Sequence, residues 1–259
     1  MTTVHVYDHD RAESFVAPLA AALRERGQLA ADWRRADVCI IASDRCEAMR
    51  HALEVYEAGI PIWQWGAPDK CEGDQYHYDG LYRDLISRLA ARVYSMRPIL
   101  HTNGKLFSCC LGPPHVDALP DTSARPFEAR YALLCTNPLP WRDELVPPAP
   151  RDVAALAMWP GSDAGQRGIT GLVQQLGWTL LTRMPRARFL RWVRHAEYVI
   201  GNSSLLTYEA PIWHPDADII HCGLRNKGRG IVRWDVVRWG SPTANMLAQI
   251  EAYSAQIFI

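Results

Sequence analysis

Apolar runs that do not alternate with polar residues, each separated from the next by a helix-length stretch, are the feature that most narrows what this chain can fold into. Asp37-Val38-Cys39-Ile40-Ile41-Ala42 is apolar on both of a strand's faces, so both faces must be covered. Residues 46–58 carry apolar positions at helical spacing, and Ile60-Pro61-Ile62-Trp63 supplies the next strand. Strand, helix, strand in that order specifies a parallel, doubly wound sheet, and such sheets bind ligands outside the carboxyl ends of their strands. Ser43-Asp44-Arg45 occupies one such end.

The same grammar runs along the chain. Val4-His5-Val6-Tyr7 reads as a strand, followed by a helix over 11–26 that stops at Gly27. Residues 64–78 are polar and turn-rich, and a helix follows over 79–92. The tandem prolines of Gly112-Pro113-Pro114 stop both helix and sheet, which places a domain boundary between 1–112 and 113–259. Beyond it, 131–135 and 154–158 read as strands, 143–152 as a proline-rich loop, and 186–196 as a helix. Strand 198–200, helix 206–210 and strand 218–222 complete a second Rossmann-like unit. A final helix over 242–255 is placed to pack back on the first. The expected fold class is α/β, two Rossmann-like units with parallel sheets and a cleft between them.

Composition excludes several function classes. The 28 basic and 28 acidic residues balance, so no global field draws the chain to nucleic acid or membrane. The arginines of 183–194 (Arg183, Arg186, Arg188, Arg191, Arg194) are the one local concentration, read as a solvated helix face whose stems cover apolar surface. Seven cysteines without paired spacing, and a start lacking signal-peptide character, read as a reduced cytoplasmic chain. No Cys/His spacing suits a metal, no cofactor is implied, and no apolar run approaches a membrane span.

The chemistry concentrates late in the sequence. Tyr198-Val199-Ile200 runs into Gly201-Asn202-Ser203-Ser204, with Glu209 two turns on and Gly223-Leu224-Arg225-Asn226-Lys227-Gly228-Arg229 after the following strand. Hydroxyls and backbone N–H groups at a strand-to-helix turn suit phosphate, a carboxylate down the helix suits ribose hydroxyls, and guanidinium forks suit either anion. These residue types point to a nucleotide or nucleotide-sugar pocket.

Taken together, the loops resemble the hydrolysing UDP-N-acetylglucosamine 2-epimerases, a family of GT-B fold. The resemblance runs nearly collinearly from about Asp37 to Arg229. It rests on Ser43-Asp44-Arg45-Cys46-Glu47, Gly59-Ile60-Pro61, Glu72-Gly73 with Asp79 and Arg83, Gly112-Pro113-Pro114-His115-Val116-Asp117, Pro160-Gly161-Ser162-Asp163-Ala164-Gly165, and the two late segments. It implies a UDP-sugar substrate, no metal, a homodimer, Asp44 and Asp79 as proton-handling carboxylates, and a binding set of Arg83, Asn137, Asn202, Ser203, Ser204, Glu209, Arg225 and Arg229. Asp44 and Asp79 also suit helix N-caps, and Trp63, Trp65 and Trp213 suit core packing.

Departures from the family are equally specific. Its N-terminal glycine-rich loop has no counterpart beyond Asp8-His9-Asp10-Arg11, and its His/Glu loop is Gln64-Trp65-Gly66-Ala67-Pro68 here. Asn137 stands for an imidazole, and Leu205-Leu206 for Ser-Gly. Glycosyl transfer from a UDP-sugar to a nucleic-acid base or small molecule needs fewer of the lost groups, and a non-catalytic sugar-nucleotide binding protein needs fewer still.

Overall fold

A computed structural model of the chain describes residues 1–7, 16–43, 46–67, 78–96, 109–117, 122–137, 146–159, 166–229, 234 and 236–257. The first elements are β1 (Val4–Tyr7), α1 (Ala17–Glu25), β2 (Val38–Ile41), α2 (Cys46–Glu57), β3 (Ile62–Ala67), α3 (Tyr78–Leu89), β4 (Arg92–Ser95) and β5 (Cys109–Cys110). Then come β6 (Tyr131–Cys135), β7 (Ala154–Ala157), α4 (Gln166–Gln175), β8 (Thr179–Leu180), α5 (Arg186–His195), β9 (Tyr198–Gly201), α6 (Leu205–Tyr208), α7 (Ala210–Trp213) and β10 (Asp218–His221). Helices α8 (Val236–Trp239) and α9 (Pro242–Ile257) end the chain.

The chain forms two α/β units, each built on a parallel sheet. One comprises Met1–Asp69, Tyr78–Ala118 and Trp234–Ile259; Leu119–Arg233 forms the body of the other. In the first sheet the order is β1-β2-β3-β4-β5, all parallel. A further parallel bridge joins Val4 to Leu29 on the opposite side of β1, with Val4 N–H donating to Gln28 O and Ala30 N–H to Val4 O, each at 2.8 Å. The chain therefore leaves β1 through α1, touches its far edge, and crosses beneath it to β2. Asp37 holds that crossing by accepting at Oδ2 from Thr3 N (2.7 Å) and Thr3 Oγ1 (2.9 Å). Among the named strands the order follows the chain from β1 to β5, and the carboxyl end of β2 leads to Ser43. Asp44 follows in sequence but lies outside the described residues.

Double coverage explains why β2 is apolar throughout. Val38 and Ile40 pack toward α1 and α9, while Cys39 and Ile41 pack toward α2 and α3. Met246, Leu247 and Ile250 of α9 share a core with Leu19, Leu23, Trp63 and Trp65, so α9 belongs to the first unit. Its start is capped by Asp117, whose Oδ2 accepts from Ser241 Oγ (2.8 Å) and Thr243 N (2.6 Å). Gly112 is required nearby: its φ is +89°, and a Cβ there would stand 2.6 Å from the Trp234 ring.

One sequence expectation is corrected here. Gln64 to Ala67 continue β3 instead of opening a loop. The buried Gln64 amide is satisfied, since it accepts from Ser87 Oγ at 2.5 Å and donates to Arg83 O at 3.3 Å, and Trp65 Nε1 donates to Gly112 O at 3.2 Å. Strands β4, β5 and β8 and helices α4 and α8 were not foreseen from the sequence. Among the described residues no helix is long and apolar enough to cross a membrane.

Candidate functional site

The second sheet has the order β10-β9-β6-β7-β8, all parallel. From β6 the chain builds outward to β7 and β8, then returns through α5 to place β9 on the other side of β6. The switch point falls between β6 and β9, where a crevice for ligand opens at their carboxyl ends. Both strands are apolar on both faces: Tyr131, Leu133 and Cys135 pack toward α5, α6 and α7, whereas Ala132 and Leu134 pack toward α4.

Three loops meet at this edge, after β6, β9 and β10, and three asparagines bind them together. Asn202 is fully buried. Its Oδ1 accepts from Asn137 N (2.7 Å) and Thr136 Oγ1 (3.2 Å), and its Nδ2 donates to Asn137 O (2.8 Å). The side chain thus spans the switch point from the β9 loop to the β6 loop. Asn226 performs the same service for the β10 loop, donating through Nδ2 to Asn202 O (3.1 Å) and Ser203 O (3.0 Å). With its amide oriented by its neighbours, Asn137 donates to Thr136 O at 3.2 Å and accepts from the guanidinium of Arg225. Arg225 is itself buried. Arg229 donates to Asn226 Oδ1 at 3.4 Å, and its guanidinium lies 5.7 Å from the centre of the Tyr208 ring.

Gly201 makes the approach of the loops feasible. Its φ is +138°, and a Cβ would fall 2.1 Å from the carbonyl oxygen of Cys135 on the adjacent strand. The chain turns immediately: Ser203 N donates to Cys135 O at 3.1 Å, and Ser203 Oγ accepts from Leu205 N at 3.3 Å. Ser204 precedes α6 without capping it through its side chain. Leu205 and Leu206, where a serine and glycine were sought, are buried in the core shared with α5 and α7. The helix expected over 206–210 is two four-residue turns, α6 and α7. Pro211 explains the break, because its ring clashes with the carbonyl four residues back. With so short a helix the macrodipole is small, and anion recognition rests on side chains.

Glu209 sits at the junction of α6 and α7 in an ion pair with Arg186 at the start of α5; only about a fifth of each side chain is exposed. Arg186 is thus a site residue that the sequence placed on a solvated face. Its spacing from Glu209 gave no signal, because the pairing depends on α5 and α7 packing together. His221, at the end of β10, is a second unforeseen residue: its Nδ1 lies 3.4 Å from Asn226 Nδ2, and burial holds its pKa below the ordinary imidazole value.

The structure therefore brings together Asn137, Asn202, Ser203, Ser204, Glu209, Arg225 and Arg229, all in the second unit. The Asn202 side chain joins two of these loops. Arg83 lies buried on α3 of the first unit, with its carbonyl accepting from Ser87 Oγ at 2.9 Å as well as from Gln64. Asp79 opens the same helix, but its side chain, like Asp44, lies outside the described residues.

No protein-family model matches the sequence, and no curated protein matches it significantly. Solved structures do resemble it. A Listeria monocytogenes protein assigned as a UDP-N-acetylglucosamine 2-epimerase superposes with a TM-score of 0.60 at 12% identity, covering 93% of this chain and 78% of its own. UDP-N-acetylglucosamine 2-epimerase from Rickettsia bellii gives 0.58 at 11% identity, covering 94% and 78% respectively. The Methanocaldococcus jannaschii UDP-GlcNAc 2-epimerase in complex with UDP-GlcNAc and UDP gives 0.59 at 12% identity, covering 92% and 80%. At such identities the likeness establishes fold, and the chain shares with these proteins a GT-B-like α/β architecture of two parallel-sheet units.

Proposed function

We propose that this chain is a nucleotide-sugar enzyme that cleaves the anomeric C–O bond of a UDP-hexosamine in the manner of the 2-epimerases. The observation that carries the reading is the joining of three strand-end loops by Asn202 and Asn226 at the β6/β9 switch point. That construction holds Arg225, Arg229, Ser203 and Ser204 in place before ligand arrives, as electrostatic stabilisation of a departing diphosphate demands. Glu209, oriented by Arg186, is the acceptor for ribose hydroxyls. The M. jannaschii protein of the same fold holds UDP-GlcNAc and UDP, which supports this ligand class here.

In the proposed reaction a base removes the proton from C2 as UDP leaves C1 with the bonding electrons, forming a glycal. Water or UDP then adds at C1 while a proton returns to the opposite face of C2. Asp44 and Asp79 are the proposed proton carriers, with Arg83 beside Asp79 in sequence. Asn137 favours a second reading, glycosyl transfer: an amide hydrogen-bonds but cannot move a proton near neutral pH, and transfer requires only one base.

Incubation with UDP-N-acetylglucosamine in D₂O, followed by NMR, separates the two. Deuterium at C2 accompanied by UDP release supports epimerisation, and UDP release only with an added acceptor supports transfer. Absence of thermal stabilisation by both UDP and the sugar nucleotide would remove the nucleotide-sugar reading altogether.

A further inference from the structure

Arg229 is held from two sides. On one side is Asn226, whose Nδ2 faces three acceptors, Asn202 O at 3.1 Å, Ser203 O at 3.0 Å and His221 Nδ1 at 3.4 Å. Those partners turn Oδ1 the other way, where it accepts from Arg229 Nη1 at 3.4 Å. On the other side is Tyr208, the last residue of α6, with the guanidinium carbon 5.7 Å over the centre of its ring. Leu205, Leu206 and Thr207 are buried and Tyr208 is half-buried, so α6 gives its first three residues to the interior and turns its fourth toward the β10 loop.

The kind of contact matters for an anion receptor. A carboxylate beside a guanidinium occupies its N–H donors and offsets its charge, as Glu209 does for Arg186. An aromatic face attracts the same cation through its quadrupole and restrains it without neutralising it. An arginine side chain has several rotatable bonds, and restraining it before ligand arrives removes part of the entropic cost of binding. We propose that Tyr208 is a positioning residue of the anion receptor, whose ring holds the Arg229 guanidinium in place for a diphosphate. The inference rests on the proposed role of Arg229 in binding that group, and Tyr208 acts through Arg229 without touching the ligand.

Two measurements on the full chain test this. The first is calorimetry without ligand on wild type, Tyr208→Leu, Arg229→Gln and the double variant; leucine keeps helix propensity and apolar bulk but has no ring face. Coupling of ring and guanidinium predicts that Tyr208→Leu lowers the melting temperature by at least about 2 °C more in the wild-type background than in Arg229→Gln. The second is isothermal titration of wild type, Tyr208→Leu and Tyr208→Phe with UDP. The leucine variant is expected to bind about three- to tenfold more weakly, and phenylalanine, which keeps the ring, to restore affinity to within about twofold of wild type. Additive melting shifts overturn the inference, as does Tyr208→Leu binding UDP within twofold of wild type, or an equal loss in the leucine and phenylalanine variants. Those results leave the receptor standing. Failure of wild type to bind UDP at millimolar concentration is a different result, which overturns the receptor reading and the role of Tyr208 with it.

Discussion

Asn202→Ala removes the side chain on which the switch-point geometry depends, and its cost follows from the bonds it makes. Three side-chain hydrogen bonds disappear, at 2.7, 2.8 and 3.2 Å. At about 1 kcal/mol net each, with the buried Thr136 hydroxyl left without this partner, the second unit should lose about 3–5 kcal/mol. For a unit of this size that corresponds to a melting temperature lower by roughly 6–20 °C. Thr136→Val deletes only the longest of the three bonds and should cost about 1 kcal/mol. Calorimetry measures both, and amide exchange at Asn137 isolates the local event, because its N–H loses its acceptor in Asn202→Ala alone. UDP affinity should fall in parallel, since Arg225 is held through Asn137. A melting temperature within 2 °C of wild type, or Asn137 exchange no faster than in Thr136→Val, would refute the claim that Asn202 joins the loops.

Other consequences are as direct. Gly201→Ala places a methyl 2.1 Å from a backbone oxygen that cannot rotate away, so a loss of at least about 3 kcal/mol or insoluble expression is expected. Glu209→Gln leaves Arg186 without its charged partner in a mostly buried pair, and should lower stability by about 1–3 kcal/mol and UDP affinity about tenfold; wild-type affinity for UDP would exclude Glu209 from the ribose site. In the first unit, His51 stacks on Tyr7 and has its pKa lowered to about 4, by burial first and by the neighbouring charge of His5 second. The unfolded chain therefore binds the extra proton first as pH falls, so His51 costs nothing above pH 6.5 and destabilises progressively between 6.5 and 4. With His51 only half buried, solvent screening limits the effect to about 1–2 kcal/mol. Unfolding midpoints of wild type and His51→Gln should converge above pH 7 and separate below 6; parallel profiles would contradict the assignment.

What the sequence disclosed, and what it concealed, divides along physical lines. Strands β2 and β6 were legible because helices cover both their faces, which leaves an unbroken apolar run. Strand β4 was not, because it opens with Arg92, whose guanidinium lies 4.9 Å from the Trp63 ring centre and 5.2 Å from that of Tyr253. Tyr253 lies 161 positions later in the sequence, so no local pattern announces that Arg92 belongs in a sheet. Helix α4 contains Gly168, Thr170 and Gly171, poor helix formers, and is held by Ile169 and Val173, buried one turn apart. Gln64 suggested a loop because its partners, Ser87 and the Arg83 carbonyl, come from a helix more than a turn of the fold away. In the candidate site the chemistry was legible and the division of labour was not. Asn202 and Ser203 look alike as polar residues after a strand, yet one spends its side chain on the neighbouring loop.

That division bears on how binding and chemistry are separated in the proposed enzyme. In the second unit the asparagines serve the backbone of three loops, Asn137 also engages Arg225, and Glu209 is paired with Arg186. These are the properties of a rigid anion receptor, in which bonds are made before ligand arrives and reorganisation on binding is small. Proton transfer needs the opposite, a group whose charge changes during the reaction and whose partners tolerate the change. Glu209 is held in an ion pair with Arg186, and the Asn137 amide has no group that titrates near neutral pH. For epimerisation at C2, Asp44 beyond β2 and Asp79 at the start of α3, both in the first unit, are the proposed proton carriers. In that unit the carboxyl end of β2 leads in sequence to Asp44, and parallel sheets bind ligands at that end of their strands. The proposed receptor and the proposed proton carrier Asp44 thus belong to different units.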